Sequence, residues 1–254
     1  SHEATAIARA YNHLGLAYQD SASSEGLAHA LGYFRAALDM EKEVHPRPHP
    51  TLAEYYSNVG RAHFRLRRYD LALRHFQRAL EMEESLHPDT ADYSVAHVLN
   101  DLGKTHRHLG HPNEAEACLQ RAVAMERQLD DQPDMAISLV NLGLVHRQLN
   151  NLQEALRDFE AALGIERKLH AGVDHIDVVH TLDNLGNTYE DSGNLDAAAT
   201  HYSEALEMLF RLYPGEPRHL EIRNMSRKLR RVQPKTRKYP QIRRFFTKRR
   251  AVQA

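Results

Sequence analysis

The chain has 254 residues, 42% of them hydrophobic and 26% charged, a balance that sustains a folded core. Its single cysteine, Cys118, excludes a disulfide framework within the chain and fits a reducing compartment, and no apolar run reaches the length of a membrane-spanning helix. The formal net charge of −1 hides an asymmetry: residues 1–221 carry 34 Asp/Glu against 20 Lys/Arg, whereas Ile222 to Ala254 carries 13 Lys/Arg and no acid.

The N-terminal "SHEATAIARAYNHLG" has neither an initiator Met nor a signal-peptide pattern, as expected of a piece of a longer protein. It is the first of a series. "NHLG" at 12–15 is followed by "SNVG" at 57–60, "NDLG" at 100–103, "NLG" at 141–143 and "DNLG" at 183–186. The glycines Gly15, Gly60, Gly103, Gly143 and Gly186 are 45, 43, 40 and 43 residues apart, and self-similarity at such a period marks a repeat array. Each glycine lies in an amphipathic helix A, with Tyr11, Tyr56, Leu99, Leu139 or Leu182 four residues before it and Leu14, Val59, Leu102, Leu142 or Leu185 directly before it.

A helix B follows in each unit and carries small, large and small residues at spacings of four and three. The sets are Ala30/Phe34/Ala37, Ala72/Phe76/Ala79, Ala115/Leu119/Ala122, Ala155/Phe159/Ala162 and Ala198/Tyr202/Ala205. These spacings place all three on one helical face. Glycine costs a helix interior about 1 kcal/mol, so its recurrence requires a packing reason: close approach of helices A and B, with the large residue filling the gap. After Pro217, Ile222, Asn224, Met225, Ser226 and Leu229 keep the register of Leu182, Asn184, Leu185, Gly186 and Tyr189, which predicts a sixth helix A without a partner, covering the last core.

Large residue, Leu-Gly, Tyr, then Ala, Phe, Ala: over residues 4–213 this pattern resembles the tetratricopeptide repeat. The period of about 43 exceeds the usual 34 residues, the closing Pro is missing, and "ALEMEESLH" and "HPDTADYS" resemble the long helix B and linker of the kinesin light chain type. Repeat 1 departs by three extra residues in its "DSASSEG" corner. The resemblance implies an all-α, right-handed superhelical solenoid of antiparallel helix pairs with a C-terminal capping helix. The expected divisions are five repeats over 1–216, a cap over 217–233 and a basic tail or linker over 234–254.

In that family helix A lines the concave face, which implies a set of ligand-facing positions around each glycine. Asn58, Asn141 and Asn184 share one register position, and Asn100 and Asn187 lie beside it. Asn is a poor helix former whose amide suits the N–H and C=O of an extended peptide; the alternative is that each Asn bridges to the neighbouring helix. Arg61, Arg65, Lys104, Arg107 and Arg147 form a basic stretch suited to carboxylates, so a protein or peptide partner with acidic residues is expected. Asp183, Glu190 and Asp191 form an acidic patch on repeat 5 against which the tail 234–254, with Tyr239, Phe245 and Phe246, could fold back.

The chemistry-bearing residues otherwise point away from catalysis. Walker, dinucleotide and GxSxG signatures are absent from the sequence, and Cys118 sits at a packing position on helix B, so no enzyme activity and no cofactor are expected. Of the 18 histidines, His63, His106 and His146 take the position of the family's Tyr and read as semi-buried packing groups; no zinc site is expected. The resulting reading is a cytoplasmic interaction module acting as adaptor or scaffold. The alternatives are a binder of nucleic acid or anionic membrane working through the tail, which also carries import-like "KTRK" and "KRR", and a regulatory repeat domain of a larger signalling protein.

Overall fold

The computed structural model describes residues 2–20, 23–88, 90–216 and 218–232. Among them are eleven helices and no strand: α1 His2–Gln19, α2 Ser24–Val44, α3 Pro50–Arg65, α4 Tyr69–Leu86, α5 Tyr93–Leu109, α6 Pro112–Gln128, α7 Gln132–Gln148, α8 Leu152–Leu169, α9 Ile176–Asp191, α10 Leu195–Leu212 and α11 Leu220–Val232. The odd-numbered helices are the A helices, the even-numbered ones the B helices, and α11 is a sixth helix A with no helix B following it among the described residues. None is long and apolar enough to cross a membrane. The chain divides into two compact units, 1–141 and 142–254.

In the first unit α1 packs on α2, α3 on α4 and α5 on α6, and each pair packs on the next through α2 with α3 and α4 with α5. The glycines set the approach within a pair. A Cβ on Gly15 would stand 2.5 Å from the Phe34 ring, on Gly60 2.7 Å from Phe76, and on Gly103 2.5 Å from Leu119. Phe34, Phe76 and Leu119 are themselves fully buried, flanked by the buried alanines of their triplets. In the second unit Gly143 meets Phe159 and Gly186 meets Tyr202 in the same way, while α10 packs on α9 and α11. Ile222, Met225 and Leu229 of α11 are buried there.

The corner between helices A and B turns, in repeats 2 to 5, on one residue seven positions after the glycine: Arg67, Gly110, Asn150 and Gly193, all with positive φ. Glycine and Asn enter this conformation readily; Arg67 does so at a cost of about 1–2 kcal/mol.

A second recurring feature joins successive repeats. Glu41, Glu83, Glu126 and Glu166 occupy equivalent positions near the ends of α2, α4, α6 and α8, and all four are buried. In two cases a hydroxyl from the next helix A satisfies one carboxylate oxygen: Ser138 Oγ donates to Glu126 Oε1 at 2.8 Å and Thr181 Oγ1 to Glu166 Oε1 at 2.9 Å. Burial pushes both carboxyls up to about 7, the hydroxyl bonds opposing the rise. Because the folded-state value lies above the ordinary 4.5, the native state holds the proton more tightly. The stability this contributes is complete below about pH 4.5 and is lost as pH rises through about 7. Glu126→Gln, which mimics the protonated form, is therefore expected to match the parent chain near pH 5 and to exceed its stability by about 1–3 kcal/mol near pH 8. Urea unfolding at the two pH values checks this; equal differences at both would refute it.

Candidate functional site

On the A helices of the first unit the predicted positions divide by what their side chains already hold. Asn58 is 3% exposed. Its Nδ2 donates to Asn12 Oδ1 of α1 at 2.8 Å, and its Oδ1 accepts from Arg61 Nη2 at 3.0 Å. Asn12 in turn donates to Glu54 at 3.2 Å. Asn100, also buried, donates to Ser138 Oγ at 2.7 Å and accepts from Asn141 Nδ2 at 2.9 Å. Each link thus runs from an Asn three residues before one glycine to an Asn two residues before the next. The amides of Asn58 and Asn100 tie neighbouring A helices together instead of facing outward, because an unbonded amide at such depth would cost about 1–3 kcal/mol. For these two residues the bridging alternative describes the geometry.

The cations lie above this ladder. Arg61 and Lys104 flank one carboxylate, Asp101, with Arg61 Nε at 3.9 Å and Lys104 Nζ at 2.6 Å. Their side chains remain 45% and 32% exposed, against 11% for Asp101. Arg65 lies 4.0 Å from Asp20. Arg107 is half-buried beside His108, its Nη2 3.2 Å from His108 Nε2, and burial pulls its guanidinium below the usual range. Aromatic rings stand among these charges: Tyr69 stacks on His108 with centroids 4.8 Å apart, Phe64 meets both edge-on, and Lys104 Nζ lies 5.9 Å from the Phe64 centroid. On α3 and α5 two solvent-accessible cations share one carboxylate, next to an Arg and a partly apolar shelf.

The second unit is arranged differently. Arg147 Nε donates to Asp191 at 2.5 Å. Lys228 of α11 holds both oxygens of Asp183 at 2.6 and 2.7 Å, and Arg231 holds Glu190 at 2.6 Å. Tyr202 Oη has two acceptors within reach of its one proton, Asn187 Oδ1 at 2.9 Å and Glu190 at 3.0 Å; Asn187 Nδ2 is 3.4 Å from Asp183. Asn184 is half-buried. The acidic patch that could have received the basic tail is thus already neutralised by the capping helix and by Arg147. The tail itself, 234–254, lies outside the described residues.

The histidines at the family's Tyr position are packing groups. His63 is fully buried, stacks on His75 at 5.4 Å, and is pushed down to about 4 by burial and by Arg35, whose Nη2 is 3.2 Å away. His146 Nδ1 pairs with Asp158 at 2.6 Å. Sequence reasoning missed another set of histidines, at the corners from helix B to the next helix A. There the polar groups of Glu41, His45 and His49 come together, as do those of His170, His175 and Asp177. The signal was present as Glu-x-x-x-His-x-x-x-His from 41 to 49.

Two tetratricopeptide repeat models match the chain, one over residues 6–85 and 134–209 and the other over 95–132. No curated protein matches. Among solved structures, BtubC (BKLC) from P. vanneervenii is 23% identical with a TM-score of 0.66, over 83% of this chain and 90% of that one. A Podosopora anserina putative kinesin light chain with nearly identical TPR-like repeats is 15% identical with a TM-score of 0.70, over 82% and 97%. A Rap protein complexed with Competence and Sporulation Factor is 16% identical with a TM-score of 0.64, over 88% and 64%. The matched models, the five glycine-centred helix pairs and these neighbours agree: the chain belongs to the tetratricopeptide repeat family, an all-α repeat fold of non-enzymatic protein-interaction modules.

Proposed function

We propose that the chain is an adaptor in the cytoplasm that binds an acidic peptide segment of a partner protein on the A-helix face of repeats 2 and 3. The observation that carries this reading is the pair Arg61 and Lys104, both open to solvent, sharing only Asp101. The surplus positive charge, with Arg65 and Arg107 beside it, favours carboxylates, and Arg adds bidentate geometry. Phe64 and Tyr69 supply the apolar contact that lets a peptide bind with more than charge. Asn58 supports the site from beneath, its carbonyl fixing Arg61. The Rap protein of the same fold, complexed with Competence and Sporulation Factor, supports a ligand-binding role for such an array. In this reading Asn141 serves as a secondary polar contact through its bond to Asn100, while Arg147, paired with Asp191, and Asn184 and Asn187 of the second unit are left outside the site.

The test is peptide selection from a random display library with the full chain and with a chain ending at 233. Enrichment of Asp/Glu-rich peptides by both chains is the expected outcome. Selection of neutral or basic peptides would refute acidic recognition. Loss of all binding in the shortened chain, together with salt-dependent RNA or anionic-vesicle binding by the full one, would place the activity in the tail instead.

A further inference from the structure

The buried glutamates that join successive repeats divide into two kinds, and the difference lies in the next helix A. The position five residues before the glycine holds Ser138 in α7 and Thr181 in α9, whose hydroxyls reach Glu126 and Glu166. In α3 the same position holds Tyr55 and in α5 it holds Val98. Glu41 is 0% exposed, and neither of its carboxylate oxygens has a hydrogen bond, whereas Glu83, Glu126 and Glu166 each leave one buried oxygen, Oε2, without one. A carboxylate so placed is costly, and such a group calls for a counter-charge.

What faces Glu41 is a pair of imidazoles. His45 ends α2 and places Nε2 3.3 Å from Glu41 Oε1, close but without hydrogen-bond geometry. His49 caps the start of α3, its Nδ1 accepting from Thr51 N at 3.3 Å; to ligate through Nε2 the neutral ring carries its proton on Nδ1 and gives up that cap. The two rings stack with centroids 3.8 Å apart, and one ligand atom from each of Glu41, His45 and His49 lies within 4.8 Å of the others. Two imidazole nitrogens and one carboxylate oxygen make a donor set for a first-row divalent cation of borderline softness. At metal–ligand distances of about 2.0–2.2 Å the donors must approach somewhat further, which rotation of the two histidines supplies. A bound ion would also provide the positive charge that Glu41 lacks.

We propose that Glu41, His45 and His49 form a site for a divalent transition-metal ion of the Zn²⁺ class, with water completing its coordination, that locks the end of α2 to the start of α3. The corner Glu83–His87–Asp92 is a poorer version, with one imidazole, and Asp92 Oδ1 already caps α5 through Ser94 N. The corner His170–His175–Asp177 keeps the stacked pair, at 3.6 Å, but its exposed Asp177 replaces the buried acid, because Glu166 is turned to Thr181. The ion therefore prefers the first corner.

The experiment is titration of the metal-free full chain with Zn²⁺ by calorimetry, and with Co²⁺ by visible absorption, which reports ligand geometry directly. Glu41→Gln and His49→Ser are compared with a His170→Gln/His175→Ser control; the hydroxyl introduced by His49→Ser keeps an oxygen to cap α3. The expected result is that each first-corner variant loses one equivalent of the tightest binding, or binds it more than about tenfold more weakly, while the control retains it. Helix content by circular dichroism shows that each variant is folded, and His49→Ser carries the decision if Glu41→Gln is not. Equal Zn²⁺ stoichiometry and affinity in His49→Ser and the parent, or no saturable binding by the parent, would overturn the proposal.

Discussion

Replacing Gly143 by leucine is expected to destabilise the junction of α7 and α8 by about 3 kcal/mol, the upper part of the range for overpacking a closed core. Even a methyl group has no room: a Cβ at this position would stand 2.8 Å from Cε1 and 2.9 Å from Cζ of Phe159. The ring cannot retreat, because Phe159 is fully buried between Ala155 and Ala162, which are also fully buried. Gly143→Ala isolates the steric effect. Helix propensity alone would favour it by about 1 kcal/mol, so a net loss of stability measures the clash. Phe159→Ala removes the ring at a cost of about 3–5 kcal/mol, and the double variant should lose less than the sum of its parts, since the new methyl enters the space the ring leaves. Repeat arrays unfold in segments, so urea unfolding is best paired with hydrogen exchange on the α7 and α8 amides. Additive losses, or a Gly143→Leu chain that unfolds like the parent, would contradict the packing described for all five pairs.

That contact was legible in the sequence because its cause is local. A glycine and a small–large–small triplet lie within one repeat, and a side chain in place of the glycine would collide with the large residue. The Asn positions were visible as a period, but their role was not. Whether Asn58 faces a ligand or its neighbour depends on Asn12, and for Asn100 on Asn141, each about one repeat away. The buried glutamates were hidden for the same reason. Glu41 sits in "DMEKEV" at the end of a helix, where a charged residue reads as solvent-facing; it is covered by α3, which begins only after the next corner. The acidic patch of repeat 5 read as open because its partners, Lys228 for Asp183 and Arg231 for Glu190, stand on the following helix A. Arg121 with Glu84 and Arg211 with Asp174 follow the same rule on the B helices and their corners. Intra-repeat geometry can be read from one period of sequence, whereas inter-repeat pairing requires knowing how the next period is rotated.

Asp101→Asn is expected to raise the affinity for an acidic peptide by about tenfold, roughly the effect of removing one unit of competing negative charge beside the ligand. The carboxylate is nearly buried and sits between Arg61 and Lys104, so it competes with any incoming carboxylate for both cations. Asparagine keeps its shape, and the bond from Thr105 Oγ1 goes to the Asp101 main-chain oxygen, so helix α5 loses little. The converse variant, Arg61→Gln with Lys104→Gln, should weaken the same peptide by about tenfold to a hundredfold for each charge-assisted bond lost. Arg107 is unsuitable for charge reversal: its Nε is buried without a hydrogen bond, and a carboxylate in its place would threaten the fold. Fluorescence anisotropy with a labelled Glu-rich peptide measures both effects, and raising the salt from about 0.05 to about 0.5 M should shrink the gap between the variants as charges are screened. A basic peptide should respond to Asp101→Asn in the opposite sense, which separates charge recognition from a general loosening of the face. If the acidic peptide binds all three chains alike, it does not sit between α3 and α5, and the cations there serve only to neutralise Asp101.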